Sequence, residues 1–146
     1  GSALGTPTLL TDAPLKAGVN GPDADGLEWL SRVRAVWAAF HDDPLTTETP
    51  LLQLFGPIEA AKLYGRPRKG LGVDIPTLLM VGRDDPVGGP RSVHKLADAY
   101  RQRSQFSDVT TLVYPDARHE IFHELQQDEV RADLLAWLDT HIPPRS

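Results

Sequence analysis

The feature that most constrains this chain is an apolar run over residues 76–82, in which only Thr77 has a polar side chain. A strand with one solvated face alternates apolar and polar residues, whereas a continuous run is typical of a parallel strand that is covered on both faces. Residues 109–114 are rich in β-branched and aromatic side chains and predict a second strand. Because a helical pattern follows each strand, the order is strand, helix, strand, helix, which predicts the α/β class with a parallel sheet.

The helices are predicted from apolar residues that recur at three- and four-residue steps. They cover about residues 26–43, 50–64, 90–103 and 128–140. The second of them contains Gly56-Pro57 and is expected to kink or break there, because proline cannot continue the backbone hydrogen bonding of a helix. Residues 1–26 are rich in Gly, Pro and Thr and predict a loop.

The two predicted strands hold only about thirteen residues of the 146. That is roughly a tenth of the chain, well below the ~20–25% strand content of ordinary globular domains. A parallel strand buried on both faces also needs a neighbour on each edge, and no third strand is evident in the sequence. The remainder of the sheet is therefore expected to lie N-terminal to residue 1.

Composition excludes several classes of function. The net charge of −5 argues against nucleic acid as a partner, because a phosphate-binding surface needs clustered basic residues. Cysteine is absent, which excludes disulfides, Cys-ligated zinc and a Cys nucleophile. No apolar run approaches the ~18 residues of a membrane span and no signal peptide is evident, so a cytoplasmic location is the default prediction. Nothing in the composition calls for a cofactor.

Chemistry-bearing residues follow both predicted strands. Asp84 and Asp85 come just after the first strand and His119 follows the second. Open α/β sheets place their sites at the carboxyl ends of strands, and a histidine moves protons readily near neutral pH. Either cluster alone is as well explained by an ordinary surface turn. Together they favour a site, because two consecutive parallel strands deliver an acid and a histidine to the same sheet edge.

Several stretches resemble the last third of the monoacylglycerol lipase and lysophospholipase group of α/β-hydrolases, which is serine aminopeptidase S33-like. They are residues 76–89, residues 108–120 and the closing Trp137-Leu138. Leu30-Ser-Arg32, with Asp43-Pro-Leu45 eleven residues later, is similar to a pattern in the helical cap of that group. The resemblance therefore extends over nearly the whole chain.

The resemblance implies a division of the chain and a role for each part. Residues 1–70 would form a post-strand loop and helical cap, and residues 71–146 the last two strand-helix units of an α/β-hydrolase core. Asp85 would be the acid and His119 the base of a Ser-His-Asp triad, with Asp84 the less suitable acid. The substrate would be a small lipid or ester, and the cap could contact a membrane. An apolar acyl channel would be lined by the cap residues Leu51, Leu54, Phe55 and Ile58, for which packing against the sheet is an equal alternative.

One departure from the family is large. The Gly-x-Ser-x-Gly nucleophile elbow has no counterpart around any serine of the chain, and the oxyanion-hole loop is also missing. An acid and a base without a nucleophile cannot form an acyl-enzyme. The sequence therefore predicts that ester hydrolysis requires the preceding half of a hydrolase, on the same or another chain, and that this chain alone is inactive.

Two other functions stay open at this point. Residues 119–123 satisfy the H-E-x-x-H pattern of zinc hydrolases, although a third protein ligand is lacking and Pro115 places the pattern at a helix end. A non-enzymatic interaction module would keep the α/β fold without requiring the side chains of Asp85 and His119 to meet.

Overall fold

The computed structural model describes residues 26–46, 51–62 and 65–142, and the predicted loop before residue 26 lies outside them. In chain order the elements are α1 (Arg34–Asp42), α2 (Leu51–Lys62), β1 (Thr77–Gly82), α3 (Gly89–Ala99), β2 (Val109–Tyr114) and α4 (Gln127–His141). A π-helical turn, Tyr100–Ser104, continues α3, and a 3₁₀ turn, Ile121–His123, precedes α4. Within these ranges, no helix combines the length and apolar character needed to cross a bilayer.

Both predicted strands are present, and they form a parallel pair in which Thr77 lies opposite Val109 and Gly82 opposite Tyr114. Successive side chains of a strand point to opposite faces, so the two strands contribute to two separate clusters. One cluster joins them to α3 and its π-helical turn through Leu79, Tyr100, Phe106, Val109 and Ala97. The other joins them to α4 and the loop before it through Met80, Leu112, Tyr114, Ala117, Ile121 and Val130. The small sheet is thus covered on both faces, as its apolar sequence predicted.

The first helix begins later than its periodicity predicts. The pattern starts at Gly26, but α1 begins at Arg34. The carbonyl oxygens of Trp29 and Leu30 accept hydrogen bonds from the backbone N–H groups of His119 and Glu120, respectively. The carbonyl oxygen of Ser31 accepts one from the indole N–H of Trp37. Residues 29–31 are held by these distant contacts in a non-helical path, in which the i+4 bonds of a helix do not form. The prediction of a helix from Gly26 was therefore wrong in its first eight residues, because tertiary contacts compete for the backbone.

The second predicted helix is present and is broken where expected. Gly56 lies inside α2 with φ of +74°, a left-handed conformation that glycine adopts without strain, and Pro57 follows it. Two helical pieces therefore meet at an angle in this part of the chain.

Candidate active site

Gly82, the last residue of β1, decides how closely two loops of the site approach. A Cβ atom built on Gly82 would lie 2.1 Å from the carbonyl oxygen of Arg118 and 2.4 Å from that of Ala117. The loop that leaves β2 therefore crosses directly over the end of β1. Asp84 fastens this crossing, since its backbone N–H donates to the carbonyl of Ala117 at 2.9 Å. The crossing carries the residues after β2 toward those after β1.

The structure brings Asp85 and His119 together at this crossing. Nδ1 of His119 lies 3.1 Å from each carboxylate oxygen of Asp85, within the range for a hydrogen bond. The Asp85 side chain is 11% exposed and that of His119 is 40% exposed. The backbone N–H of Val87 donates to Asp85 Oδ1 at 2.8 Å and fixes the carboxylate. Among the described residues, Nε2 of His119 has no hydrogen-bond partner and is available to a further group.

The hydrogen bond that His119 Nδ1–H donates to the Asp85 carboxylate raises the pKa of His119 above its ordinary value, with smaller electrostatic contributions from Asp85 and Glu120, while burial acts in the opposite direction. The raised pKa also gives this pair a pH-dependent effect on stability. A histidine whose pKa is higher in the folded than in the unfolded protein stabilises the fold fully below the unfolded pKa, and the contribution is lost as the pH rises through the folded pKa.

The neighbouring carboxylate, Asp84, has a different partner. The Arg32 guanidinium donates to Asp84 Oδ2 at 2.5 Å. Both side chains are partly exposed, at 28% and 44%, so solvent screens this ion pair. Of the two adjacent aspartates, only Asp85 contacts His119 in the described structure. That Asp84 is the less suitable acid stays a prediction.

Residues 28–33, the segment that leads into α1, contact the loop that carries His119. The backbone N–H of His119 donates to the carbonyl of Trp29 at 3.3 Å, and that of Glu120 donates to the carbonyl of Leu30 at 2.8 Å. The Trp29 ring lies 5.2 Å from the imidazole of His119, centroid to centroid, at an interplanar angle of 49°. Trp29 is therefore a neighbour of the candidate base. It lies within residues 26–43, which the periodicity had predicted to be helical.

Other residues of this region were missed or given no role by the sequence. The Ser31 hydroxyl donates to the carbonyl of His123 at 2.9 Å, and the Arg118 guanidinium donates to the carbonyl of Glu28. Glu124 is completely buried between the two segments. The resemblance had assigned Leu30-Ser-Arg32 to a cap, and periodicity had assigned it to a helix, so neither predicted its contacts with the His119 loop.

The H-E-x-x-H pattern does not form an α-helical turn here. Glu120 has φ of −91° and ψ of 72°, outside the helical region, and only a 3₁₀ turn follows it. Nδ1 of His119 is hydrogen-bonded to Asp85, whereas Nδ1 of His123 is hydrogen-bonded to Glu120 at 2.9 Å. Zinc hydrolases of this type need both imidazoles on one helix face. Within the described ranges, no group of three or more His, Cys, Asp or Glu side chains is placed to hold a metal ion.

The predicted channel residues are not brought to the pair by any described contact. Phe55 and Ile58 are exposed on α2, at 54% and 75%. The side chains of Leu51 and Leu54 lie outside the described part of the structure. A role for these four residues in substrate binding stays a prediction.

Comparison with known proteins finds a matching family and a similar lipase. The model of the family described as "Serine aminopeptidase, S33" matches residues 7–126. The monoglyceride lipase of Saccharomyces cerevisiae is 30% identical over 128 residues, which are 79% of this chain and 39% of that protein.

Two solved lipase structures are also similar to this chain. A soluble variant of the yeast monoglyceride lipase, solved in complex with a substrate analog, is similar with a TM-score of 0.62 and 27% identity, over 93% of this chain and 50% of that one. The monoacylglycerol lipase of Paleococcus ferrophilus shares the fold, with a TM-score of 0.56 and 24% identity, over 77% of this chain and 42% of that one. This chain thus spans half or less of the length of each of these relatives.

Proposed function

Because the chain belongs to the serine aminopeptidase S33 family of α/β-hydrolases, we propose that it supplies the acid and the base of a carboxylic ester hydrolase of the monoacylglycerol lipase or lysophospholipase type. One observation carries the proposal: Nδ1 of His119 lies 3.1 Å from the Asp85 carboxylate at the carboxyl ends of two adjacent parallel strands. An interaction module would have no need of this contact.

In the proposed reaction, the nucleophile is a serine from outside these 146 residues. Nε2 of His119 takes the proton of the serine hydroxyl as the serine attacks the ester carbonyl, and then returns it to the leaving alcohol. Asp85 accepts a hydrogen bond from Nδ1–H, which holds the imidazole in the tautomer with a free Nε2 and stabilises the imidazolium that forms. A water molecule then releases the acyl group by the same proton transfers.

The proposed substrate is a lipid ester with one acyl chain, such as a monoacylglycerol. The yeast relative is a monoglyceride lipase whose structure holds a substrate analog. Residues 1–70 would then serve as the cap over the substrate, with Leu51, Leu54, Phe55 and Ile58 along the acyl chain. The exposed Phe55 and Ile58 also support a cap that touches a membrane surface.

The segment that provides the nucleophile would also complete the sheet. Among the described residues, β1 pairs with β2 on one edge and with no strand on the other. Leu71, Val73 and Ile75, at alternate positions just before β1, are 40%, 56% and 49% exposed. Side chains of this kind beside a free strand edge favour a further strand and its covering layer there.

We expect the purified 146-residue chain to show no hydrolysis of short-chain aryl esters or monoacylglycerols. The reason is that acyl transfer needs a nucleophile and oxyanion donors in addition to an acid and a base. Activity should appear when the polypeptide encoded immediately upstream of residue 1, read for Gly-x-Ser-x-Gly, is joined to the chain or mixed with it. Initial rates of p-nitrophenyl ester hydrolysis measure this.

The control for that experiment is the same complete protein with the elbow serine replaced by alanine, which should be silent. Hydrolysis by the 146-residue chain alone, retained after His119→Ala, would show that the active site lies elsewhere and that the proposed reaction is wrong.

We also expect that chelators do not affect this protein. The imidazoles of His119 and His123 are each engaged by a different carboxylate, so EDTA or phenanthroline should leave both the thermal midpoint and the activity of the complete enzyme unchanged. Metal analysis should return well under one zinc per chain. One zinc per chain, with activity lost on chelation and restored by added zinc, would support the zinc hydrolase instead.

A further inference from the structure

Glu124 is a buried acidic side chain to which the proposed reaction gives no role. None of its surface is exposed. Its carboxylate accepts hydrogen bonds from two backbone N–H groups, that of Arg32 at 3.2 Å to each oxygen and that of Arg118 at 2.8 Å to Oε1. A buried carboxylate is costly unless its oxygens are hydrogen-bonded, and these N–H groups meet that need.

The two N–H groups belong to segments that are distant in sequence and meet at the site. Arg118 directly precedes His119. Arg32 lies in the segment that leads into α1, and its side chain also binds Asp84. One carboxylate therefore fastens the His119 loop to the segment beside it, from a position where it touches neither Asp85 nor the imidazole.

The backbone around His119 shows why this contact matters. Three consecutive N–H groups are held, that of Arg118 by Glu124, that of His119 by the carbonyl of Trp29 and that of Glu120 by the carbonyl of Leu30. Both of those carbonyls lie in the segment that Glu124 also binds through Arg32. Loss of the carboxylate would leave the partly buried N–H groups of Arg32 and Arg118 without this partner and would weaken the attachment of the loop to the segment.

We propose that Glu124 is a positioning residue for His119, which locks the His119 loop onto residues 29–32 and so keeps the imidazole on the Asp85 carboxylate. Its importance for catalysis rests on the proposed function. The positioning itself concerns contacts within this chain and is testable without any ester substrate.

The test is an NMR titration of the histidine ring signals in the 146-residue chain. In the unsubstituted chain, the contact with Asp85 holds the pKa of His119 above its ordinary value. Glu124→Ala should lower that pKa toward the ordinary histidine value of about 6.5. Asp85→Asn should also lower the pKa of His119, and this variant shows the effect of losing the Asp85 carboxylate completely. Glu124→Gln should restore most of the wild-type pKa, because its amide oxygen can still accept from both N–H groups.

Ser104→Ala is the matched control. Ser104 is also buried and its hydroxyl donates to the carbonyl of Arg68 at 2.8 Å, but it lies near the opposite end of the sheet. This variant should lose stability and leave the His119 pKa unchanged. If Glu124→Ala does not fold, Glu124→Asp replaces it, because a side chain one carbon shorter cannot reach both N–H groups. A folded Glu124→Ala or Glu124→Asp variant with an unchanged His119 pKa overturns the proposal.

Activity of the complete enzyme provides a second, separate measurement. Glu124→Ala should lower kcat by about 10²-fold with little change in KM, because a misplacement of roughly 1 Å has that effect on a catalytic group. If the complete protein hydrolyses no ester at all, the proposed function fails, whereas the titration still decides whether Glu124 positions His119.

Discussion

Replacing His119 with alanine in the complete enzyme should lower kcat about 10⁶-fold, and Asp85→Asn should lower it about 10⁴-fold, by the precedent of serine proteases. In the proposed reaction, His119→Ala removes the group that takes the serine proton. Asp85→Asn keeps the shape of the contact but replaces an acceptor with an amide, which favours the wrong imidazole tautomer. Steady-state hydrolysis of a monoacylglycerol measures both effects.

The adjacent aspartate provides the matched control. Asp84→Asn removes a partly exposed ion pair with Arg32, and such pairs contribute little to stability. Its activity should stay within a few-fold of wild type. If Asp84→Asn abolished turnover while Asp85→Asn retained it, the assignment of the acid would be reversed.

The pH profile of the same enzyme gives an independent check on the pair. His119 has to be neutral to accept a proton, so kcat/KM rises as the pH passes upward through the pKa of His119. Because Asp85 raises that pKa, the acidic limb should lie above the ordinary histidine value of about 6.5. In Asp85→Asn the limb should move to lower pH as the remaining activity falls. If the acidic limb does not move in Asp85→Asn, then Asp85 does not control the pKa of the group that titrates.

The second large effect is expected at Gly82. A methyl group there would lie 2.1 Å from the carbonyl oxygen of Arg118, which is a backbone atom, so no flexible side chain can yield. Gly82→Ala should therefore displace the His119 loop, destabilise the fold by about 1–3 kcal/mol and lower kcat by about 10²-fold or more. Chemical denaturation and steady-state kinetics measure the two effects.

Gly72→Ala is the control that distinguishes the steric clash at Gly82 from the effect of replacing a glycine where there is no clash. Gly72 has φ of +70° and no atom within 4 Å of a built Cβ. Its substitution should cost only about 1–2 kcal/mol of left-handed strain and leave kcat unchanged. Equal losses of activity in the two variants would mean that the close approach at Gly82 does not position His119.

The segment before α1 and the loop that carries His119 are joined by several contacts. Residues 28–33 lie against the His119 loop through carbonyls of their own backbone, the Trp29 ring and the Glu124 carboxylate. In the proposed enzyme, this segment enters the cap. A displacement of the cap would therefore act on the loop that carries the base.

The sequence by itself determined the elements whose signal is local. The apolar run over residues 76–82 and the β-branched run over 109–114 form the two strands within a residue of prediction, because strand pairing and two-sided burial select such residues directly. The order strand, helix, strand, helix follows from the same periodicities. Since both strands are parallel, Asp85 and His119 had to emerge at one edge of the sheet.

Only the tertiary structure decided how that edge is assembled. The start of α1 at Arg34, the role of Gly82, the choice of Arg32 as partner of Asp84 and the burial of Glu124 all depend on contacts between residues far apart in the chain. Periodicity records how each residue relates to its near neighbours, whereas a carbonyl taken by a distant N–H group leaves no trace in that pattern. For this reason the sequence predicted that Asp85 and His119 lie at one edge of the sheet, but not which residues hold them in place.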